Sequence, residues 1–261
     1  IVGSGQFDGR GSIWWTNHPS PPYKCNWPTA LLFERCTDVR LHGTTHLNSP
    51  RNHISITSCK GVDLAFLHLT TPMHSPNTDG VDISFSTNIR VRDSSIRTGD
   101  DCVAIGHNSS FINITNIMCG PGHGISIGSL GSSNAYETVE EIFVKNCTFK
   151  SAIHGVRIKT WEGGSGYARK ITFQDITFED TWNPIIIDQH YCITSVCNKN
   201  ETSAVRISDV IYRNMNGTTR SARAINLKCS KNTGCTNLGF ENINIISSVP
   251  WTVPYAYCEN A

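Results

Sequence analysis

An all-β solenoid, the right-handed parallel β-helix with about 22 or more residues per coil, is the fold class that three observations predict. The segments with strand character are short, β-branched and bounded by Gly, Asn, Asp or Ser, and long amphipathic helices are absent. The aliphatic pairs Val81/Ile83, Val103/Ile105 and Ile125/Ile127 recur at steps of 22 residues. Val156/Ile158 follows after 31, Ile185/Ile187 after 29 and Ile225/Leu227 after 40, as expected of a solenoid whose coils stretch by insertion on one face. The titratable residues Asp79, Asp101 and His123 keep the same 22-residue step. A β-sandwich also uses many short strands, but it does not predict equal steps between chemically matched motifs.

Taken in order, residues 1–30 open with turn-forming glycines and Asp8, and Ile13, Trp14 and Trp15 are expected to cover one end of the core. A Pro-containing segment leads into the first strands, ALLFERC, VRLHG, HISITSC and VDLAFLHL. From there segments of three to six residues, about three per coil, run to GFENINI. Strand alternation puts Val81, Val103, Ile125, Val156 and Ile185 in an inner ladder. Asp82, Ala104, Ser126, Arg157 and Ile186 then point outward.

A chain of 261 residues can bury a substantial core, and a net charge of +1 argues against a global basic field for nucleic acid. No apolar run approaches membrane-span length. The chain begins at Ile1 without an initiator Met, which reads as a processed product or a fragment. Eleven Cys, together with the sequons at Asn108, Asn113, Asn146, Asn200 and Asn216, favour an oxidising, secretory setting. No Cys-x-x-Cys pair exists to suggest zinc. The odd count leaves one Cys over, and the partner of Cys258 reads as lost with a missing C-terminal segment.

Asp79, Asp101 and His123 each stand two residues before an inner aliphatic position, so they are expected to stack at one sheet edge, coils about 4.8 Å apart. Asp100 sits beside them in a Gly-Asp-Asp-Cys turn, and Arg157 and Lys159 flank inner Ile158. Three crowded carboxylates repel, which raises at least one pKa and leaves a proton donor beside ionised partners. That is the minimal kit for glycoside hydrolysis, and the two cations suit an acidic sugar. Each piece has a plainer reading. Asp79-Gly80 alone is a turn, Asp100-Asp101 a Ca²⁺ ligand pair, His123 a packed loop residue, and Arg157 and Lys159 a solvated strand face. Their occurrence in register favours an active site.

The motifs SPNTDG, GDDC, GHGISIGS and RIK occur in order over residues 75–159. As a set they resemble the signature of glycoside hydrolase family 28, the polygalacturonases, and look most like plant members. The resemblance implies a β-helix that hydrolyses α-1,4 bonds between galacturonic acids in pectin, with inversion and with neither cofactor nor metal. It implies Asp100 as general acid, Asp79 and Asp101 as the pair activating water, and His123 as their support. It also implies Arg157, Lys159, Asn77 and Tyr191 as substrate-binding residues. The disulfides it implies are Cys102–Cys119, Cys192–Cys197 and Cys229–Cys235, with Cys25, Cys36, Cys59, Cys147 and Cys258 unassigned. Family members are usually longer, so residues 1–261 are expected to form one catalytic domain truncated at both ends. The further expectations are a secreted, cell-wall monomer whose partner is pectic polysaccharide, with no nucleic-acid or membrane partner. Exo-acting, xylogalacturonan-type and catalytically silent wall-binding relatives remain as alternatives.

Overall fold

The structure is a computed structural model that describes residues 1–16, 27–192 and 203–261. Cys25, Cys197 and Asn200 lie outside the described residues. The strands pair in parallel as two long sheets of nine and eleven strands, the right-handed parallel β-helix. In the nine-stranded sheet the predicted rungs pair in register: Val81 with Val103, Val103 with Ile125, Ile125 with Val156, Val156 with Ile185 and Ile185 with Ile225. The unequal steps of 22, 31, 29 and 40 residues therefore all return to the same rung.

Coils stack because each presents the same side-chain type to the interior, so one buried row continues into the next. Val81, Val103, Ile125, Val156 and Ile185 are fully buried, as are Ile89, Ile112, Ile142 and Ile171 of the opposite sheet within about 2%. Each rung removes two or three aliphatic side chains from water, worth roughly 1.5–3 kcal/mol apiece. Phe149 and Phe178 stack at 5.7 Å, and Phe173, Tyr212 and Phe240 continue a second aromatic row.

Two features differ from expectation. The opposite sheet contains strands of up to 17 residues, not three to six, because neighbouring legs of a coil run on through a bend. A residue at positive φ makes each bend: Asp93, Asn116, Asn146, Asp175, Asn214 and Asn242. Asn and Asp tolerate this conformation best among residues with a side chain. Their side chains bond along the axis, Asn116 to Asp93 at 2.7 Å, Asn146 to Asn116 at 2.8 Å, Asn214 to Asp175 at 2.8 Å and Asn242 to Asn214 at 3.0 Å. The sequon residue Asn146 is thus part of this ladder. Secondly, the short helix Ser12–Thr16 buries none of its residues, so Ile13, Trp14 and Trp15 do not close the core. Trp15 donates instead to the Pro50 carbonyl at 3.0 Å.

Coil length varies at one corner only. From each asparagine-turn residue to the next rung of the nine-stranded sheet the chain takes 9 to 11 residues, as from Asp93 to Val103, Asn116 to Ile125 and Asn214 to Ile225. From the rung to the asparagine turn it takes 12 from Val81 to Asp93, but 21 from Ile125 to Asn146 and 29 from Ile185 to Asn214. All the insertion lies beyond the C-terminal ends of the nine-stranded sheet's strands. The N-terminal ends, where Asp79, Asp101 and His123 sit, are reached by tight turns.

Candidate active site

The turn over Ser75–Gly80 is tied down by Thr78, which is fully buried. Its Oγ1 accepts from the Gly99 N–H at 3.0 Å and lies 2.7 Å from Ser75 Oγ. This fastens the turn that carries Asn77 and Asp79 to the one that carries Asp100. Gly99 is obligatory there, because a Cβ would lie 2.0 Å from the Ser75 carbonyl oxygen. Gly124, beside His123, has φ +86° and approaches Gly155 so closely that a Cβ would fall 2.1 Å from its oxygen. The disulfide Cys102–Cys119 anchors the residue after Asp101. A second implied disulfide, Cys229–Cys235, is also formed, while Cys192–Cys197 rests on a residue outside those described.

Backbone bonds hold the rung: Gly80 N–H donates to Asp101 O at 2.9 Å, and Cys102 N–H to Gly124 O at 2.7 Å. Asp79, Asp101 and His123 are therefore stacked as expected. Asp100 is turned toward His123, whose Nδ1 lies 2.9 Å from Asp100 Oδ1. The Asp101 N–H donates to that same oxygen at 2.9 Å, and Asn77 Nδ2 reaches Asp100 Oδ2 at 3.5 Å.

Asp101 is 1% exposed in its side chain, and both of its oxygens are taken. Oδ1 accepts from Arg157 Nη2 at 2.7 Å and from Ser126 Oγ at 2.8 Å, and Oδ2 accepts from Lys159 Nζ at 2.8 Å. Burial alone would raise its pKa, but Arg157 and Lys159 outweigh it and hold the carboxyl at about 2. The outward row Asp82, Ala104, Ser126, Arg157, Ile186 does face away from the interior, yet Ser126 is fully buried and Arg157 and Ile186 nearly so. The predicted outer row is thus a packed polar floor. Arg157 and Lys159 are spent in part on Asp101.

The other carboxyls lean the opposite way. Burial, with Asp82, Asp100 and Asp101 nearby, raises the Asp79 pKa well above the usual range, and Lys159 only partly opposes this. Asp82, hydrogen-bonded by Asn52, is pushed up to about 7 by burial and by Asp101, against Arg51 and Lys159. In the free chain the proton therefore rests on Asp79 and Asp82 while Asp101 is ionised. Tyr191 joins the group: Lys159 Nζ lies 5.3 Å from its ring centroid, and Trp161 packs edge-on against it at 5.4 Å. The donor atoms of Asp100, Asp101 and His123 lie within 4.8 Å of one another. With both Asp101 oxygens already on cations, two donors are left, fewer than a Zn²⁺ or Ca²⁺ site uses.

Two residues of this site escaped sequence reasoning. Asp82 was placed only as an outward position between Val81 and Ile83. His154, whose ring meets that of His123 edge-on at 5.9 Å, was not singled out. It stands two residues before Val156, the same offset that picked out Asp79, Asp101 and His123.

Comparison with known proteins places this geometry in a family. The model of glycosyl hydrolases family 28 matches residues 1–261. A probable polygalacturonase of Arabidopsis thaliana is 46% identical over 94% of this chain and 53% of its own length. The polygalacturonase QRT2 of Arabidopsis thaliana is 40% identical over 100% of this chain and 60% of its own. The chain thus spans about half the length of the curated relatives it matches. Among solved structures, an endo-xylogalacturonan hydrolase from Aspergillus tubingensis superimposes with TM-score 0.83 at 22% identity, covering 98% of this chain and 71% of that one. A polygalacturonase from Erwinia carotovora ssp. carotovora does so with TM-score 0.77 at 22% identity, covering 97% and 70%. At such identity these two speak for the fold alone. The family match over the whole chain, with its relatives and its stacked acids, means that this chain belongs to glycosyl hydrolases family 28.

Proposed function

We propose that the chain hydrolyses α-1,4 bonds between galacturonic acid residues of polygalacturonate, inverting the anomeric carbon without a cofactor. The observation that carries this reading is the meeting of Asp79, Asp100 and Asp101 at one sheet edge beside two buried cations. Asp100 acts as general acid, its proton passing to the glycosidic oxygen as the C–O bond breaks. The bonds to its Oδ1 from His123 and from the Asp101 N–H stabilise the carboxylate as it forms. Asp79, with the higher affinity for a proton, takes one from the water that attacks the anomeric carbon from the opposite face. Asp101 stays ionised, orients that water and faces the positive charge of the oxocarbenium-like transition state.

Arg157 and Lys159 hold Asp101 in its charged form and share their remaining N–H donors with the substrate carboxylate. Tyr191 packs beside Lys159 to contact the same sugar, and Asn77 borders Asp100. The protein is read as a secreted, monomeric cell-wall enzyme with one catalytic domain over 1–261, acting on pectic polysaccharide. The two disulfides support an oxidising destination. No helix among the described residues is long and apolar enough to cross a membrane.

The test is release of reducing ends from polygalacturonate by the chain and by its Asp100→Asn variant. Release by the first and not the second supports the reading, and none from a folded, disulfide-intact chain ends it. Product sizes separate internal cleavage, which gives oligomers, from terminal cleavage, which gives monomers.

A further inference from the structure

The rung that carries the acids does not stop at His123. His154 pairs with Asn183 in the next coil, and it lies on the strand His154–Thr160 that also carries Arg157 and Lys159. Its Nδ1 is 3.3 Å from Asn183 Nδ2. The same Nδ2 lies 3.2 Å from the Ile153 carbonyl oxygen, which can only accept. The amide is therefore oriented with its NH₂ toward both, and His154 Nδ1 must be an acceptor. That leaves the ring proton on Nε2. His46 and His53 bury ring nitrogens without partners, but His154 leaves no buried orphan nitrogen, so its half-buried ring keeps Nε2–H open to solvent. Burial, with Arg157 and His123 alongside, lowers its pKa to about 3, which keeps the ring neutral.

We propose that His154 is a further substrate-binding residue of this cleft, a fixed neutral donor whose Nε2–H takes a hydroxyl oxygen of the sugar beside the scissile bond on the Arg157 side. The proposal rests on the hydrolase reading above. Arg157 and Lys159 supply charge for a carboxylate, and neither can be placed with certainty on an uncharged hydroxyl. A donor with one proton in one direction supplies that second coordinate, and the Asn183 amide is what fixes it.

The test uses the full chain with polygalacturonate and the variants His154→Ala and His154→Gln. The expected result for His154→Ala is a KM raised roughly five- to tenfold with kcat within about twofold, the effect of one neutral hydrogen bond. His154→Gln, whose amide N–H reaches as far as Nε2–H, recovers most of the loss. Unchanged KM in His154→Ala, a loss confined to kcat, or a Gln variant no better than Ala overturns the proposal. Independently of turnover, ¹⁵N NMR of the imidazole at pH 6 is expected to show the Nε2–H tautomer, and Nδ1–H overturns it. A wild-type chain that releases no ends and binds no galacturonate oligomer removes the hydrolase reading and this role together. A normal wild type with an unaffected His154→Ala variant removes only the role of His154.

Discussion

The strands from Val81–Ser84 to Asn183–Asp188 have two faces that share one register and obey opposite rules. Inside, Val81, Val103, Ile125, Val156 and Ile185 are near copies of one another, and stacking copies lowers the free energy of each. Outside and at the edge, the same rungs stack Asp79 with Asp101, and Asp82 lies only one coil from Asp101's cations. Repetition there is unfavourable, and the chain answers by alternating charge, with Ser126, Arg157 and Lys159 closing on Asp101. The comparison teaches that a solenoid brings titratable groups together at no extra entropic cost once its core has stacked. The stability of one face is what holds the other in an electrostatically strained arrangement.

Separating the two faces should be possible by mutation, the largest effect coming first. Asp100→Asn touches chemistry alone, and turnover should fall by roughly 10²–10⁴, with an unchanged melting temperature in a thermal scan. Lys159→Ala touches both, because it leaves the buried Asp101 half-compensated. A loss of about 3–5 kcal/mol is expected, read by denaturant titration, together with a raised KM. Ile127→Ala touches the inside alone, costing about 2–5 kcal/mol with the pH profile of kcat unmoved. If that profile shifts, the two faces are less independent than the geometry implies.

Asp82→Asn is the subtlest of these. The Asp82 charge helps to raise the Asp79 pKa, with Asp100 and Asp101 acting in the same sense and Lys159 against. Removing it should move the acid limb of kcat to lower pH, by roughly one unit. Stability follows by linkage. A carboxyl whose folded pKa is raised contributes stability at low pH and loses it as pH rises through the folded value, here about 7. Asp82→Asn should therefore melt higher than the wild type at pH 7 and alike at pH 4. An equal melting temperature at both would place the Asp82 charge in solvent.

The register was legible because one interior rung recurs at fixed chemistry, so the aliphatic pairs alone predict the partners Val81, Val103 and Ile125. The acids and His123 were legible through their constant offset from that rung. The pairing of Asp101 with Arg157 and Lys159 was not, because it depends on how far two long side chains reach across coils 56 and 58 residues apart. Strand alternation says which face a residue takes, not whether that face is covered. Arg157 was accordingly expected to be exposed, although the packing of its neighbours buries it. His154 carried the right offset, but an imidazole without an acidic neighbour in sequence gave no reason to weigh it.

The constancy of 9 to 11 residues between the asparagine turns and the next rung has an evolutionary consequence. One bank of the cleft, the bank that bears Asp79, Asp101 and His123, has no slack in which to accept an inserted residue. The opposite bank has absorbed insertions in successive coils, from 12 residues to as many as 29, without moving a single rung. Selection can therefore redraw the far bank, and with it the length and decoration of polymer admitted, while the reacting bank stays fixed. Descendants of such a chain are free to diversify in what they accept long before they diversify in what they do.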